Sequence, residues 1–275
     1  MKLNNNYEIP EIGYGTWQTP NNESAINGVK SAIQFGYRHI DTASTYGNEK
    51  AVGEGILQSG VDRAELFVTS KVWNSDRGYD KTILAFHQSI ADLQLEYLDL
   101  YLIHWPAAAH QFEDWKEINH QTWKALEDLY KQGLVKSIGI SNFLPHHLEP
   151  LLSQASILPM VNQIEYHPGF KQEETLAYCH SNHIVVEGWS PIGSGNLLDH
   201  PILTEIGNIY GRSVAQICIR WAMQNHVIPL PKSVTPERII ENFTVNDFSI
   251  SAEHMQIINQ IEYSGSGLNP DQVEF

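Results

Sequence analysis

At 275 residues and a formal net charge of −15, the chain suits one large α/β domain or two small ones and is too acidic for a nucleic-acid binder, which needs a basic face. An anionic ligand stays open, because it responds to local charge rather than net charge. The two cysteines, Cys179 and Cys218, lie in apolar helical contexts and read as buried thiols in a reducing compartment. Met1-Lys2-Leu3-Asn4-Asn5-Asn6 lacks the apolar core of a signal peptide, and no stretch is long enough to span a bilayer. A cytoplasmic protein with no membrane partner is therefore expected.

Residues 2–11 read as a hairpin, with a turn of asparagines between Leu3 and Tyr7. A strand follows at 12–17, then a helix at 23–35 with Ala25, Ile26, Val29, Ala32 and Ile33 on one face and Asn21 or Asn22 as its cap. The alternation repeats: a strand ending at Asp41 and a helix near 49–58, a strand at 66–71 and a helix near 79–95, a strand at 97–104 and a helix at about 119–132 stopped by Gly133. Next come a strand at 136–141 and a short helix at 146–152, a strand at 160–163 and a helix near 173–182, and a strand at 184–189 with a helix pair around 202–225. The last strand, 227–230, leads to helices near 236–243 and 252–261. Eight strands, each followed by helix, form the (β/α)8 TIM barrel pattern, with the N-terminal hairpin left to close the bottom. No linker or composition shift divides the chain, so residues 1–275 read as one barrel domain.

The polar residues of interest fall where strands give way to loops: Thr16-Trp17, Asp41, Lys71, His104, Ser141-Asn142, Gln163, Trp189 and Lys232. That end of a parallel barrel carries the chemistry. The stretch from His39 to Glu49 supplies an acid, Asp41, and a phenol, Tyr46. A tyrosine serves as a proton donor near neutrality when a neighbouring cation lowers its pKa, and that cation needs its own partner if partly buried. Lys71, ending an apolar strand, either snorkels at the rim or pairs with Asp41. His104 is either a satisfied structural histidine or a neutral imidazole that orients a carbonyl oxygen. The 13 histidines show no zinc spacing, and no Gly-x-Ser-x-Gly elbow is present. A Schiff-base aldolase acting through Lys71 is a rival.

The second half resembles a nucleotide site. Pro231-Lys232-Ser233-Val234-Thr235-Pro236-Glu237-Arg238 joins the last strand to a helix with proline at its start, so Lys232, Ser233, Thr235 and Arg238 form either an anion pocket or a solvated basic turn. Ser190-Pro191-Ile192-Gly193-Ser194-Gly195 is a small-residue loop able to lie along a pyrophosphate. Trp189 either stacks on a flat ring or packs in the core. Ser141, Asn142 and Gln163 have the groups to bind an amide.

These segments together resemble the aldo-keto reductase family, close in length to bacterial 2,5-diketo-D-gluconate reductase-type members. The likeness runs along nearly the whole chain, through Gly15-Thr16-Trp17, Arg38-His39-Ile40-Asp41-Thr42-Ala43 with Tyr46-Gly47-Asn48-Glu49, Thr69-Ser70-Lys71, Leu102-Ile103-His104-Trp105-Pro106 and Gly139-Ile140-Ser141-Asn142-Phe143. It continues through Asn162 to Pro168, Ser190 to Gly193 and Pro231 to Asn242. The resemblance implies NADPH as cofactor and a catalytic tetrad of Asp41, Tyr46, Lys71 and His104. It also implies cofactor contacts at Thr16, Trp17, Asp41, Ser141, Asn142, Gln163, Trp189, Ser190, Gly193, Lys232, Ser233, Val234, Thr235, Arg238, Glu241 and Asn242. Relatives often carry tyrosine or phenylalanine in place of Trp189, and glycine in place of Asn269.

The implied reaction is reduction of a small-molecule aldehyde or ketone by hydride transfer, with Tyr46 as acid, Lys71 fixed by Asp41, and His104 aligning the carbonyl. The tail is short, so substrate selection is expected to lean on Trp17, Trp73 and Trp105, beside Tyr46 and His104. No metal is expected, and the protein is expected to be a monomer. A binding subunit that senses nucleotide without turnover is the other class of reading.

Overall fold

The computed structural model describes all 275 residues. Eight parallel strands follow one another in chain order: β1 (Tyr14–Gly15), β2 (His39–Asp41), β3 (Phe67–Val72), β4 (Leu98–Ile103), β5 (Val135–Ser141), β6 (Val161–Glu165), β7 (Val185–Trp189) and β8 (Val227–Pro229). Two backbone bonds close the ring from β1 to β8: Gly13 N–H donates to Pro229 O and Gly15 N–H to Pro231 O, each at 3.0 Å. The strands are almost wholly buried, as expected when a sheet is covered by side chains inside and helices outside.

Ten helices form the outer ring: α1 (Glu23–Phe35), α2 (Glu49–Ser59), α3 (Tyr79–Leu93), α4 (Trp115–Lys131), α5 (Pro145–Gln154), α6 (Glu173–Ser181), α7 (Pro201–Tyr210), α8 (Val214–Gln224), α9 (Pro236–Phe243) and α10 (Ala252–Asn259). In α1 the apolar stripe, the Asn22 cap on Ser24 N–H and the left-handed Gly36 act where the sequence places them. None of the helices is long and apolar enough to cross a membrane.

The N-terminal hairpin forms, with one antiparallel bridge between Lys2 and Glu8. It sits across the N-terminal ends of the strands: Asn4 Nδ2 donates to Pro159 O at 2.9 Å, Asn5 Nδ2 to Lys136 O at 3.0 Å, and Tyr7 Oη to Asp99 Oδ1 at 2.8 Å. It closes the bottom of the barrel and leaves the opposite mouth open.

Most boundaries fall within about two residues of the sequence reading; β1 and α4 differ most. The first strand keeps only Tyr14 and Gly15 in regular pairing, and the chain just before it passes close to its neighbours. A Cβ on Gly13 would lie 2.5 Å from Leu230 Cδ2 and 2.8 Å from His39 Nδ1. The fourth helix begins at Trp115, before the expected 119, and its first residue packs edge-on against His147 of α5, ring centroids 5.6 Å apart.

Candidate active site

At the mouth, β2 ends in Asp41 and β3 carries Lys71 near its end, side by side in neighbouring parallel strands. Lys71 Nζ donates to Asp41 Oδ1 at 2.8 Å, Asp41 Oδ2 at 2.9 Å and Thr42 O at 2.9 Å, and lies 3.4 Å from Tyr46 Oη. Lys71 has no solvent exposure, so its charge depends on that pairing. Burial pushes the Lys71 ammonium down, but the Asp41 carboxylate and the Tyr46 phenol more than reverse this and leave it raised.

Tyr46 ends a 3-10 turn, Ser44–Tyr46, stopped by Gly47 in the left-handed region with φ 65°. Ser44 Oγ donates to Lys71 O at 3.0 Å, fixing the turn to β3. Asn48 fixes the other side, accepting from Thr42 Oγ1 at 3.0 Å and donating to Thr16 O and Thr19 O at 2.9 Å each. The Tyr46 phenol differs from the sequence expectation. Burial raises it, Lys71 lowers it, Asp41 raises it again, and the net direction is up. Desolvation outweighs the cation here, so the phenol stays protonated and Lys71 offsets part of the burial cost.

His104 follows β4, its ring centroid 5.7 Å from that of Tyr46 and 5.1 Å from that of Trp73. Burial and then the Lys71 charge hold the imidazole well below its usual range, so it is neutral. Its Nδ1 is buried without a partner, leaving Nε2 as the nitrogen available to a ligand.

Asp41, Tyr46 and His104 face a cleft of about 630 Å³, joined by Trp17, Trp73, Trp105, Ser141, Asn142, Gln163, Trp189, Ser190, Lys232 and Arg238 of the expected set. Lys71 is sealed behind Tyr46. Thr16, Gly193, Ser233, Val234, Thr235, Glu241 and Asn242 of the expected set do not line the cleft; Thr16, Gly193 and Asn242 are buried, and Val234 and Thr235 are exposed at the surface. Thr16 Oγ1 braces Asp41 O at 2.9 Å, and Glu241 O accepts from Gln216 Nε2 at 3.2 Å. Asn142 is held in the left-handed region, φ 63°. It donates to His104 O at 2.9 Å and accepts from Trp189 Nε1 at 2.9 Å, fixing the indole at the cleft wall.

Gln18, Thr45, Leu198, Leu230, Leu268 and Phe275 also line the cleft and were not singled out as site residues in the sequence. Leu268 and Phe275 come from the tail, which the sequence reading did not place over the pocket. The tail crosses the mouth past the end of β6, the start of α5 and the loop after β4. Ser266 Oγ donates to Glu165 Oε2 at 2.6 Å, Asp271 Oδ1 meets His146 Nε2 at 2.9 Å and His147 Nε2 at 3.0 Å, and Val273 O accepts from Gln111 Nε2 at 2.7 Å. No helical or strand periodicity marks this segment, so its path had no sequence signal.

A nicotinamide dinucleotide fits these groups. Lys232 and Arg238 have no carboxylate within ion-pairing distance and both face the cleft. Two cations without acidic partners on one wall of a chain of charge −15 give the cleft the local charge an anion requires.

An eight-stranded barrel with an acid, a sealed lysine, a phenol and a neutral histidine at its mouth defines an oxidoreductase-type site. The chain belongs to the aldo/keto reductase family, whose model matches residues 11–263. Membership places it among the NADP(H)-dependent oxidoreductases. It is 49% identical over 276 residues to glyoxal reductase from Bacillus subtilis (strain 168), covering 100% of this chain and 97% of that one. Among solved structures it is similar to MGS-M4, an aldo-keto reductase from a Medee basin deep-sea metagenome library, with TM-score 0.94 and 42% identity across 100% of both chains. A point mutant of Gox0644 in complex with NADPH matches with TM-score 0.93 and 39% identity, over 100% of this chain and 98% of that one.

Proposed function

We propose that the protein reduces small aldehydes and ketones, including short dicarbonyls of the glyoxal type, with NADPH as cofactor and Tyr46 as the general acid. The observation that carries this reading is the chain of contacts from Asp41 through Lys71 Nζ to Tyr46 Oη, 2.8 Å and then 3.4 Å, ending at the cleft. NADPH, when bound, supplies the hydride. Trp189, Gln163, Ser141 and Asn142 would hold its nicotinamide half, and Lys232, Ser233 and Arg238 its phosphates.

Tyr46 gives its proton to the carbonyl oxygen as negative charge develops there. Lys71 stabilises the phenolate that remains, and Asp41 keeps Lys71 charged. Neutral His104 presents Nε2 to the same oxygen and orients it. Trp73, Trp105 and Phe275 form an apolar wall that limits the substrate to small molecules, and the name of the 49% identical relative supports a short dicarbonyl. Lys71 is unsuited to Schiff-base chemistry: an amine nucleophile must be neutral and reachable, and this one is sealed, doubly bound to Asp41 and raised.

The test is NADPH consumption with glyoxal. Tyr46→Phe keeps the ring and removes the proton donor, so turnover is expected to fall about a hundredfold to ten-thousandfold while NADPH affinity is retained. A Phe variant with near wild-type turnover would remove Tyr46 from the role.

A further inference from the structure

Beneath the cleft lies a second carboxylate that the reaction described above does not use. Glu187, in the middle of β7, has no solvent exposure and points into the barrel. One nitrogen joins it to the tetrad: Gln163 Nε2 donates to Asp41 Oδ2 and to Glu187 Oε2, each at 2.8 Å. An amide nitrogen carries two hydrogens, and both are used here. Turned the other way, Gln163 would set its carbonyl oxygen against the Asp41 carboxylate, so Asp41, with Glu187 accepting the second hydrogen, fixes the amide with Nε2 inward and Oε1 toward the cleft it lines.

The charges below the mouth are few. Lys71 is the cation facing Glu187, and Asp41 takes it with both oxygens. His39 comes within 3.5 Å of Glu187 Oε1 and shares Nε2 with Thr69 Oγ1 at 3.1 Å. Burial and then Lys71 push that imidazole down to about 3, so it brings no counter-charge. Glu187 Oε1 has no hydrogen-bond partner. An ionised Glu187 would rest on one amide hydrogen in a sealed core, which is too little.

We propose that Glu187 is a positioning residue of the reduction: uncharged, it orients the Gln163 amide toward the cofactor and leaves Lys71 with a single counter-charge to share with Tyr46. This rests on the NADPH-dependent reduction proposed above. The groups facing Glu187 are His39 and Asp41 from β2, Lys71 from β3 and Gln163 from β6. Burial and then the Asp41 charge push its carboxyl up to about 8, with Gln163 and Lys71 offsetting only part. Above that pH a second negative charge joins Asp41, disfavours the Tyr46 phenolate and slows proton donation.

The experiment compares wild type, Glu187→Gln and Glu187→Leu in two measurements: kcat/KM for glyoxal reduction across neutral and alkaline pH, and NADPH affinity by tryptophan fluorescence. Wild type is expected to lose kcat/KM on an alkaline limb that Glu187→Gln moves upward by about one pH unit or more. Glu187→Leu leaves Gln163 without its second acceptor and is expected to weaken NADPH about tenfold, with the Gln variant recovering most of that loss. A purely structural role predicts lowered thermal stability without these changes. The same alkaline limb in wild type and Glu187→Gln, or equal weakening of NADPH in both variants, would overturn the proposal. If the Leu variant fails to fold, the pH profile of Glu187→Gln decides. Failure of the underlying reaction shows separately, as a wild-type protein that binds NADPH and does not consume it.

Discussion

The ring of Phe275 lies 5.5 Å from that of Trp73 at an interplanar angle of 24°, and meets Trp105 edge-on at 5.2 Å. Phe275 O also accepts from Asn74 Nδ2 at 2.8 Å. The tail therefore forms one wall of the cleft, and Trp73 and Trp105 act with a third aromatic. Such pairs contribute about 0.5–1.5 kcal/mol beyond the area they bury. Phe275→Ala is expected to raise KM for small aldehydes about two- to tenfold with a smaller effect on kcat, and to improve kcat/KM for bulkier aromatic aldehydes. Steady-state kinetics over an aldehyde size series checks this; an unchanged size preference would separate Phe275 from substrate selection.

Asp271 secures that wall from a distance. Leu144 N–H donates to His147 Nδ1 at 3.2 Å, so Nε2 carries the imidazole proton and donates it to Asp271 Oδ1. Burial and then His146 push His147 down to about 4, so the bond is made by a neutral ring across the neutral pH range. The same hydrogen bond argues against a metal on His146, His147 and Asp271, since Nε2 of His147 is not free to ligate. Asp271→Ala leaves a buried N–H unpaired, at about 1–3 kcal/mol, and releases the tail. Its effect on KM is expected to resemble that of Phe275→Ala, with the double variant well short of the sum. Additive losses would show that the tail transmits nothing between the two.

The barrel was legible because strand and helix alternate with clean apolar faces, and because Asp41, Lys71 and His104 each fall at or beside a strand end. Parallel pairing puts such residues side by side without long-range information. The tail was not legible: Ser266, Asp271 and Phe275 make isolated contacts with the end of β6, with α5 and with the segment after β3, and no period encodes that. Glu187 was passed over because one charge inside an apolar strand gives no sign of its partner; Gln163 lies 24 residues away in sequence. The state of Tyr46 was read in the wrong direction because spacing reveals the cation and hides the degree of burial.

Glu187 also sets a pH dependence of stability. Its carboxyl moves from an ordinary 4.5 to about 8 on folding, so the folded chain binds that proton more tightly. The stability it contributes is complete below about pH 4.5 and is lost as pH rises through about 8. The total change is on the order of a few kcal/mol for a sealed group. Glu187→Gln removes the titration, so the difference in Tm between variant and wild type is expected to grow in the variant's favour from pH 5 to pH 8 and then level off. Scanning calorimetry of both proteins across that range measures it. A constant difference would mean that Glu187 titrates alike in the folded and unfolded chain.

Arg238 leads to the sharpest statement about the cofactor. It stands in the first turn of α9, two residues after Pro236, exposed and without an acidic partner. The two nicotinamide dinucleotides differ by one 2′-phosphate, so preference between them must come from groups that reach it. A guanidinium offers a planar fork that matches phosphate, and Lys232 beside it adds a point charge. A charge-assisted bond contributes about 1.5–3 kcal/mol, equivalent to a tenfold or greater change in affinity. Arg238→Ala is therefore expected to weaken NADPH by at least about tenfold and NADH by much less. Salt should erode the wild-type preference as well, because both cations are exposed and screened. Fluorescence titration of both nucleotides, using the tryptophans at the cleft, reads each affinity directly. Equal weakening of the two would place Arg238 away from the 2′-phosphate, and equal wild-type affinity would leave the unpaired cations without the ligand assigned to them.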